Sequence, residues 1–200
     1  FVDNYKFGSK VKDNYAVIEV DEANLKYITE YITPEVITVT NLFRDQLDRY
    51  GEVYTTLNKI LEGIYNVPET TLVLNGDESL LGKLDLKNPV HFYGFDKAVN
   101  DNKTIEINAD AKFCKFCKTP YEYNFVTYNH LGDFYCPNCG YKRSDLMYAV
   151  TDIIDINADS STIKFNDLEV SINQSGTYNI YNGLCAYSIA KELGIADSAI

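Results

Sequence analysis

Short apolar runs alternate with segments of helical pattern over the first hundred residues of this chain. Runs rich in β-branched and apolar residues predict four buried strands, at Tyr15–Val20, Glu35–Leu42, Thr70–Leu74 and Val90–Phe95. The segments between them have helical composition, or apolar residues three and four apart, and predict helices at Glu22–Tyr31, Gln46–Ile64 and Glu78–Leu84. Because strands alternate with helices, we expect an α/β fold with a mostly parallel sheet of right-handed βαβ units.

The strand–helix alternation stops halfway along the chain. Residues 111–145 hold two cysteine pairs, many tyrosines and no helical period, and they predict an inserted module. After it, short strands separated by polar turns predict an antiparallel meander, at Ala149–Ile156, Ser161–Phe165 and Leu168–Ile172. A last helix is predicted over Asn179–Leu193, closed by Gly194. The main domain is therefore expected over residues 1–110 and 146–200, interrupted by the module.

Composition and charge exclude several kinds of protein. Hydrophobic residues make up 46% of the 200 residues, enough for a sizeable core, and no apolar run is long enough to span a bilayer. The formal net charge of -11 would repel a polyanion, so we expect no nucleic-acid partner. Residues 1–13 lack the pattern of a signal peptide and begin without Met. We therefore expect an internal piece of a longer chain. Four clustered cysteines without a secretory signal fit a reducing compartment, so we expect the protein in the cytoplasm.

Four of the five cysteines form two Cys-x-x-Cys pairs, and their spacing predicts a metal site. Cys114 and Cys117 form the first pair and Cys136 and Cys139 the second, at a separation typical of zinc ribbons. Four thiolates complete a tetrahedral shell around Zn²⁺ and leave no position for water, so the metal would be structural and would stabilise a small module. The alternatives are two disulfides or free cysteines, with His130 as a further candidate ligand.

Separated polar segments stand at the ends of predicted strands and at the start of the last helix. Glu19 lies in IEVDEA after the first strand, and NLFRDQLDRY begins at Asn41 after the second. Asp77 ends a shorter segment, LNGD, and Asn179 and Asn182 lie in GTYNIYNGL. Ligands of α/β sheets gather at the carboxyl ends of strands. Over nearly the whole chain, these segments resemble the ATP-binding, Rossmann-like middle domain of Mur ligases.

The resemblance implies a role for each segment. Glu19 would position magnesium on the ATP phosphates, since Mg²⁺ prefers carboxylate and phosphate oxygens. Asn182, supported by Asn179, would contact adenine, because an amide offers both a donor and an acceptor to a base edge. Asp77 would add a nucleotide contact. The phosphate-binding pattern GxxxxGK followed by Ser or Thr does not occur, so this loop is expected before Phe1 and the fragment alone is expected to be inactive.

Gln46 narrows the resemblance within the family. It stands in NLFRDQLDRY where most Mur ligases have histidine, and together with the cysteine module it is typical of the branch that amidates peptidoglycan precursors. This branch implies a ligase subunit that uses ATP to phosphorylate the D-glutamate carboxylate of lipid II. A GatD-type glutamine amidotransferase partner would supply ammonia, and the product would be D-isoglutamine. Such an enzyme would act in the bacterial cytoplasm, at the membrane face that carries its lipid-linked substrate.

Two alternatives remain at this stage. A different Mur-type or folylpolyglutamate-type ligase would join an amino acid instead of ammonia, and it would be expected to have histidine at position 46 and no cysteine insertion. A non-enzymatic zinc-ribbon binding module would explain the cysteines. It would not explain the ligase-like segments in an acidic chain.

Overall fold

The computed structural model of the protein describes residues 15–42, 52–105 and 111–200. The helices in these ranges are α1 (Leu25–Thr29), α2 (Glu52–Ile64) and α3 (Thr177–Glu192). The strands are β1 (Val36–Val39), β2 (Thr71–Asn75), β3 (Val90–Phe95), β4 (Glu122–Tyr128), β5 (Leu131–Tyr135), β6 (Tyr148–Ile156), β7 (Ser161–Phe165) and β8 (Leu168–Ile172).

Six of these strands form one sheet in the order β1-β2-β3-β6-β7-β8. The neighbours from β1 to β6 are parallel, whereas β6, β7 and β8 pair antiparallel. The sheet is therefore mostly parallel with an antiparallel meander at one edge, which confirms the predicted α/β class. Along the chain, β4 and β5 lie between β3 and β6 and form a separate antiparallel hairpin inside the predicted insertion.

The central strands are apolar on both sides because helices cover both faces of the sheet. In β2, Leu72 and Leu74 belong to the core cluster that includes α2, whereas Val73 belongs to the cluster that includes α3. Alternate residues of a strand face opposite sides, so β2 is buried between two layers. Each of these side chains contributes roughly 1.5–3 kcal/mol by leaving water.

The two long helices lie where the sequence predicts them. Leu57, Ile60 and Ile64, three and four residues apart, are buried on α2. After the last turn of α3, Gly194 adopts a φ of 69°, a conformation that glycine takes without strain, as the sequence predicts. Among the described residues, no helix combines the length and the apolar character needed to cross a bilayer.

Three predicted elements differ in the structure, each for a local reason. Tyr15–Val20 forms no strand: it is largely exposed and pairs with none of the described strands, and an apolar run becomes a strand only beside a partner. The helix predicted over Glu22–Tyr31 shortens to the five residues of α1, because Asp21 forms a turn by accepting the Ala23 N–H. Glu78–Leu84 forms turns rather than a helix, because the insertion bonds to its backbone.

The insertion has a small aromatic core of its own. The rings of Tyr121, Phe134 and Tyr141 pack with centroids 5.2, 5.5 and 6.1 Å apart. Cys114 and Cys136 are buried in the same cluster. So small a cluster buries too little apolar area to hold a fold by itself, and small domains usually add a metal or a disulfide.

Candidate functional site

The two Cys-x-x-Cys pairs fold into turns with the same backbone hydrogen bond. The Cys114 carbonyl accepts the N–H of Lys118 at 2.8 Å, and the Cys136 carbonyl accepts the N–H of Gly140 at 3.1 Å. Lys118 and Gly140 both have positive φ, 64° and 72°. Each turn closes directly after its second cysteine, so the two sulfurs of a pair lie on the same side of the turn.

The four thiols converge on one point. The Sγ atoms of Cys114 and Cys139 are 3.5 Å apart, and those of Cys117 and Cys136 are 3.4 Å apart. All four lie within 4.8 Å of one another. Sulfurs bound to zinc at ~2.3 Å are about 3.8 Å from each other, whereas disulfide sulfurs are about 2.05 Å apart. All five cysteines are free thiols, so the cluster fits one Zn²⁺ rather than two disulfides.

His130 lies apart from this cluster and has a different partner. Its Nε2 is 2.6 Å from Oε2 of Glu78, and both side chains are completely buried. The other carboxylate oxygen of Glu78 accepts the N–H of Leu80 at 3.1 Å. A buried carboxylate needs partners that offset its lost hydration. His130 therefore fixes the insertion to the main domain and is not one of the clustered metal ligands.

The His130→Ala variant should lower the free energy of unfolding by about 3–5 kcal/mol, because it leaves the Glu78 carboxyl group buried without the ring nitrogen that contacts it at 2.6 Å. The matched control is His91→Ala. His91 Nδ1 lies 2.5 Å from Glu192 Oε1, but these side chains are 32% and 12% exposed, so the control should lose about 1 kcal/mol or less. Urea unfolding of both variants measures the difference, and equal losses would contradict the role given to burial.

The insertion also holds the loop that follows β2, residues 77–82, which we call the clamped loop. Besides the Glu78–His130 pair, donors of the insertion bond to its carbonyl oxygens: Gly132 N–H to Asp77 (3.3 Å), Tyr141 Oη to Ser79 (2.6 Å), and Lys115 Nζ to Leu80 (3.1 Å) and Gly82. These tertiary bonds fix the loop in turns and override its helical composition. The insertion is thus joined to the carboxyl end of the parallel sheet at several successive residues.

Asp77 is a fully buried carboxylate whose two oxygens both accept hydrogen bonds. Its Oδ1 accepts Arg143 Nη1 at 2.9 Å, and its Oδ2 accepts the Tyr181 hydroxyl at 2.7 Å and the Phe95 N–H at 2.9 Å. Burial raises the pKa of Asp77, and the charge of Arg143 acts in the opposite direction. A β-carbon at Gly94 would lie 2.7 Å from Oδ1, so only glycine fits beside the carboxylate. Asp77 therefore joins the insertion to β3 and α3 from inside the protein.

Two of the polar segments meet where β1 and β2 end. Asn41, the first residue of NLFRDQLDRY, accepts the side-chain N–H of Asn75 at 2.9 Å. Asn75 in turn accepts the N–H of Asp77 at 3.0 Å. This is the carboxyl edge of the parallel strands, where ligands of α/β sheets bind. Gln46 and the rest of that segment, from residue 43 to residue 50, lie outside the described residues.

The other predicted site residues lie nearer the surface. Glu19 is exposed in a segment without regular secondary structure, so its predicted place at the end of a strand is wrong. Asn182 is exposed on α3, whereas Asn179, one turn earlier, is half-buried and donates its side-chain N–H to the Ser175 carbonyl at 2.7 Å. Residues three apart are neighbours on a helix surface. Both asparagines therefore share one face near the start of α3.

The sequence predicts neither the buried contact of His130 with Glu78 nor that of Arg143 with Asp77. In the sequence, His130 is a candidate only as a metal ligand. The signal that could have found them is the pair of adjacent acids, Asp77 and Glu78, directly after an apolar strand. Buried acids need cationic or hydrogen-bonding partners, and the insertion supplies both a histidine and an arginine.

Fold and site together define a class: an α/β domain whose parallel sheet gathers polar groups at its carboxyl edge and which carries an inserted module with four clustered cysteines. Residues 5–141 match the family model described as Mur ligase middle domain. The chain belongs to the Mur ligase family, as the resemblance of its polar segments predicts.

The relatives within this family include subunits of lipid II isoglutaminyl synthases. The chain is 42% identical over 192 residues to the MurT subunit of the glutamine-hydrolysing lipid II isoglutaminyl synthase of Streptococcus pneumoniae. It is 31% identical over 193 residues to the MurT subunit of Staphylococcus aureus. Both alignments cover 96% of this chain and 43% of the relative. The chain therefore spans less than half the length of these curated relatives.

A solved structure supports the fold. The pseudomurein peptide ligase type C from Methanothermus fervidus superimposes with a TM-score of 0.64 and 23% sequence identity. The match covers 86% of this chain and 33% of that protein. The arrangement of the sheet and its helices is thus one found in a Mur-type ligase.

Proposed function

We propose that the full-length protein is the ATP-dependent ligase subunit of a lipid II isoglutaminyl synthase. The observation that carries this proposal is the 42% identity to a MurT subunit over 96% of the chain. In the proposed reaction, the D-glutamate carboxylate of lipid II attacks the γ-phosphorus of ATP, which gives an acyl phosphate and ADP. Ammonia then attacks the acyl carbon and displaces phosphate, which leaves the amide of D-isoglutamine.

The described residues would serve this reaction mainly by binding and positioning. The exposed Glu19 carboxylate would hold Mg²⁺ on the ATP phosphates. Asn182, with Asn179 beside it, would contact the adenine edge through an amide that both donates and accepts. Phosphoryl transfer depends on positioning and on groups that stabilise the charge of the transferred phosphoryl. Cys114, Cys117, Cys136 and Cys139 would hold a structural Zn²⁺ away from this chemistry.

The proposed partners follow from the reaction. A GatD-type glutamine amidotransferase would release ammonia from glutamine for the second step, and lipid II would supply the carboxylate. With these two partners, the enzyme would act in the cytoplasm, at the inner face of the membrane. The MurT relatives are named as subunits of a glutamine-hydrolysing synthase, which supports an assembly of two subunits.

The Asn182→Ala variant of the full-length protein is expected to weaken ATP binding by about 1–3 kcal/mol, since it removes the hydrogen bonds to the base. This corresponds to roughly a 5- to 150-fold higher Kd. Asn58→Ala, at an exposed asparagine of α2, is the matched control and should bind ATP like the wild type. Calorimetry with a nonhydrolysable ATP analogue measures both variants. Unchanged affinity in Asn182→Ala would refute the proposed nucleotide site.

The nucleophile that the enzyme accepts, ammonia or an amino acid, distinguishes the proposed function from the alternative ligase functions. With lipid II and ATP, the complex should form amide from ammonia or from glutamine, and an amino acid should not replace them. Transfer of an amino acid would favour a different Mur-type or folylpolyglutamate-type ligase. Absence of nucleotide binding in the full-length protein would favour a non-enzymatic zinc-ribbon module.

A further inference from the structure

Arg143 reaches from the insertion into the main domain. It follows the second Cys-x-x-Cys pair, and its Nη1 bonds to Asp77 Oδ1 at 2.9 Å and also to the Phe95 carbonyl. Its Nη2 lies 2.9 Å from Asp96 Oδ1, and its Nε lies 3.3 Å from Asp133 Oδ1. Although desolvation acts the other way, these carboxylates raise the pKa of Arg143. One planar guanidinium therefore joins the insertion to the loop after β2 and to the end of β3.

Asp77 connects Arg143 to α3. Its Oδ1 is held by Arg143, while its Oδ2 accepts the Tyr181 hydroxyl at 2.7 Å. Tyr181 is buried near the start of α3, between Asn179 and Asn182 in the sequence. If Asp77 moves, the hydrogen-bond acceptor of Tyr181 moves with it. Tyr181 is the residue directly before Asn182.

We propose that Arg143 is a positioning residue for the nucleotide, acting through Asp77 and Tyr181 on the face of α3 that carries Asn179 and Asn182. This inference rests on the proposed function, which assigns that face to the base. The inference gives the insertion a role in the ligase. Arg143 of the metal-stabilised module bonds to one carboxylate oxygen of Asp77 and Tyr181 of α3 bonds to the other, so the module sets the position of α3. Lysine cannot replace Arg143 here, because a single ammonium group lacks the planar fork that bonds to several oxygens at once.

A double-mutant cycle in the full-length protein with its glutaminase subunit tests the link. Arg143→Lys and Tyr181→Phe should each raise the Kd and KM for ATP about three- to tenfold, with kcat within about twofold of wild type and zinc content unchanged. The double variant should be no weaker than the weaker single variant, because both changes break the same chain of contacts. Tyr187→Phe is the matched control: it removes a hydroxyl from another buried tyrosine of α3, and combined with Arg143→Lys it should add no loss of ATP affinity.

Three results would overturn the inference. One is an Arg143→Lys variant that unfolds at a lower temperature but binds ATP like the wild type, which is what a merely stabilising residue would give. Another is a double variant in which the fold-increase in the Kd for ATP equals the product of the increases in the two single variants. The third is wild-type ATP affinity in Tyr181→Phe, a variant that removes one oxygen atom and so tests the link even if Arg143→Lys folds poorly. Unchanged affinity in Asn182→Ala would instead refute the proposed function itself.

Discussion

The Cys136→Ser variant is expected to lose its zinc and the fold of the insertion, because three thiolates and a hydroxyl make a poor shell for this metal. Wild-type protein should contain one zinc per chain. The sequence alone, which shows a separate module, would predict that the sheet is spared. The contacts of the clamped loop predict a wider effect, since His130 and Arg143 would no longer compensate the buried Glu78 and Asp77. Losing one such partner costs about 3–5 kcal/mol, or roughly 10 °C of Tm.

Elemental analysis, thermal unfolding and amide hydrogen exchange of residues 72–82 measure these effects together. Cys185→Ala is the matched control, because Cys185 is a buried cysteine of α3 that lies outside the thiol cluster. It should keep one zinc per chain and slow exchange in the clamped loop. If Cys136→Ser retains a full zinc, the proposed ligand set is wrong. If it loses zinc while exchange in the clamped loop stays slow, the insertion does not hold this loop.

The Glu19→Ala variant of the full-length complex is expected to lower kcat for amidation at least about a hundredfold, the equivalent of roughly 2.7 kcal/mol of barrier. Under the proposed function, Glu19 holds the magnesium that stabilises charge on the transferred phosphoryl group. The base contacts of α3 remain, so ATP affinity should change by less than about threefold. A loss confined to kcat would separate Glu19 from Asn182, whose loss should appear in affinity.

The control for Glu19→Ala is Glu30→Ala, which removes another exposed carboxylate after α1. It should leave both kcat and ATP affinity at wild-type values. Raising the magnesium concentration should partly restore the Glu19→Ala variant if the lost group is a metal ligand. Wild-type turnover in Glu19→Ala would remove this residue from the site.

Strands with strong apolar patterns could be predicted almost to the residue. Val90–Phe95, Ser161–Phe165 and Leu168–Ile172 match β3, β7 and β8 because apolar or β-branched residues within them and polar turns around them mark them locally. The run Tyr15–Val20 has the same composition but no described strand beside it. Whether a segment pairs as a strand depends on the strands that the fold brings beside it. The local sequence pattern alone therefore cannot predict the pairing.

The site was predictable to the extent that its chemistry is local. The spacing of each Cys-x-x-Cys pair indicates the geometry of its turn. The cluster of four cysteine thiols is therefore predictable from the sequence, and the structure contains it. The roles of Asp77, His130 and Arg143 depend on contacts between distant segments: the partners are 52 residues apart for His130–Glu78 and 66 residues apart for Arg143–Asp77. Only the folded chain shows that Asp77 is buried between Arg143 and Tyr181, where resemblance alone predicts a nucleotide contact.

The place of the insertion between β3 and β6 bears on how the protein folds. These strands are hydrogen-bonded neighbours, with Tyr93 opposite Tyr148, although residues 96–147 lie between them in the chain. Joining distant strands requires closing a long loop, and the entropy cost of closure grows with its length. A metal bound by both cysteine pairs would cross-link residues 114–139 as soon as they leave the ribosome, before β6 is complete. We therefore expect zinc to accelerate refolding as well as to stabilise the native state, with the slow step in zinc-free protein being the arrival of β6 beside β3.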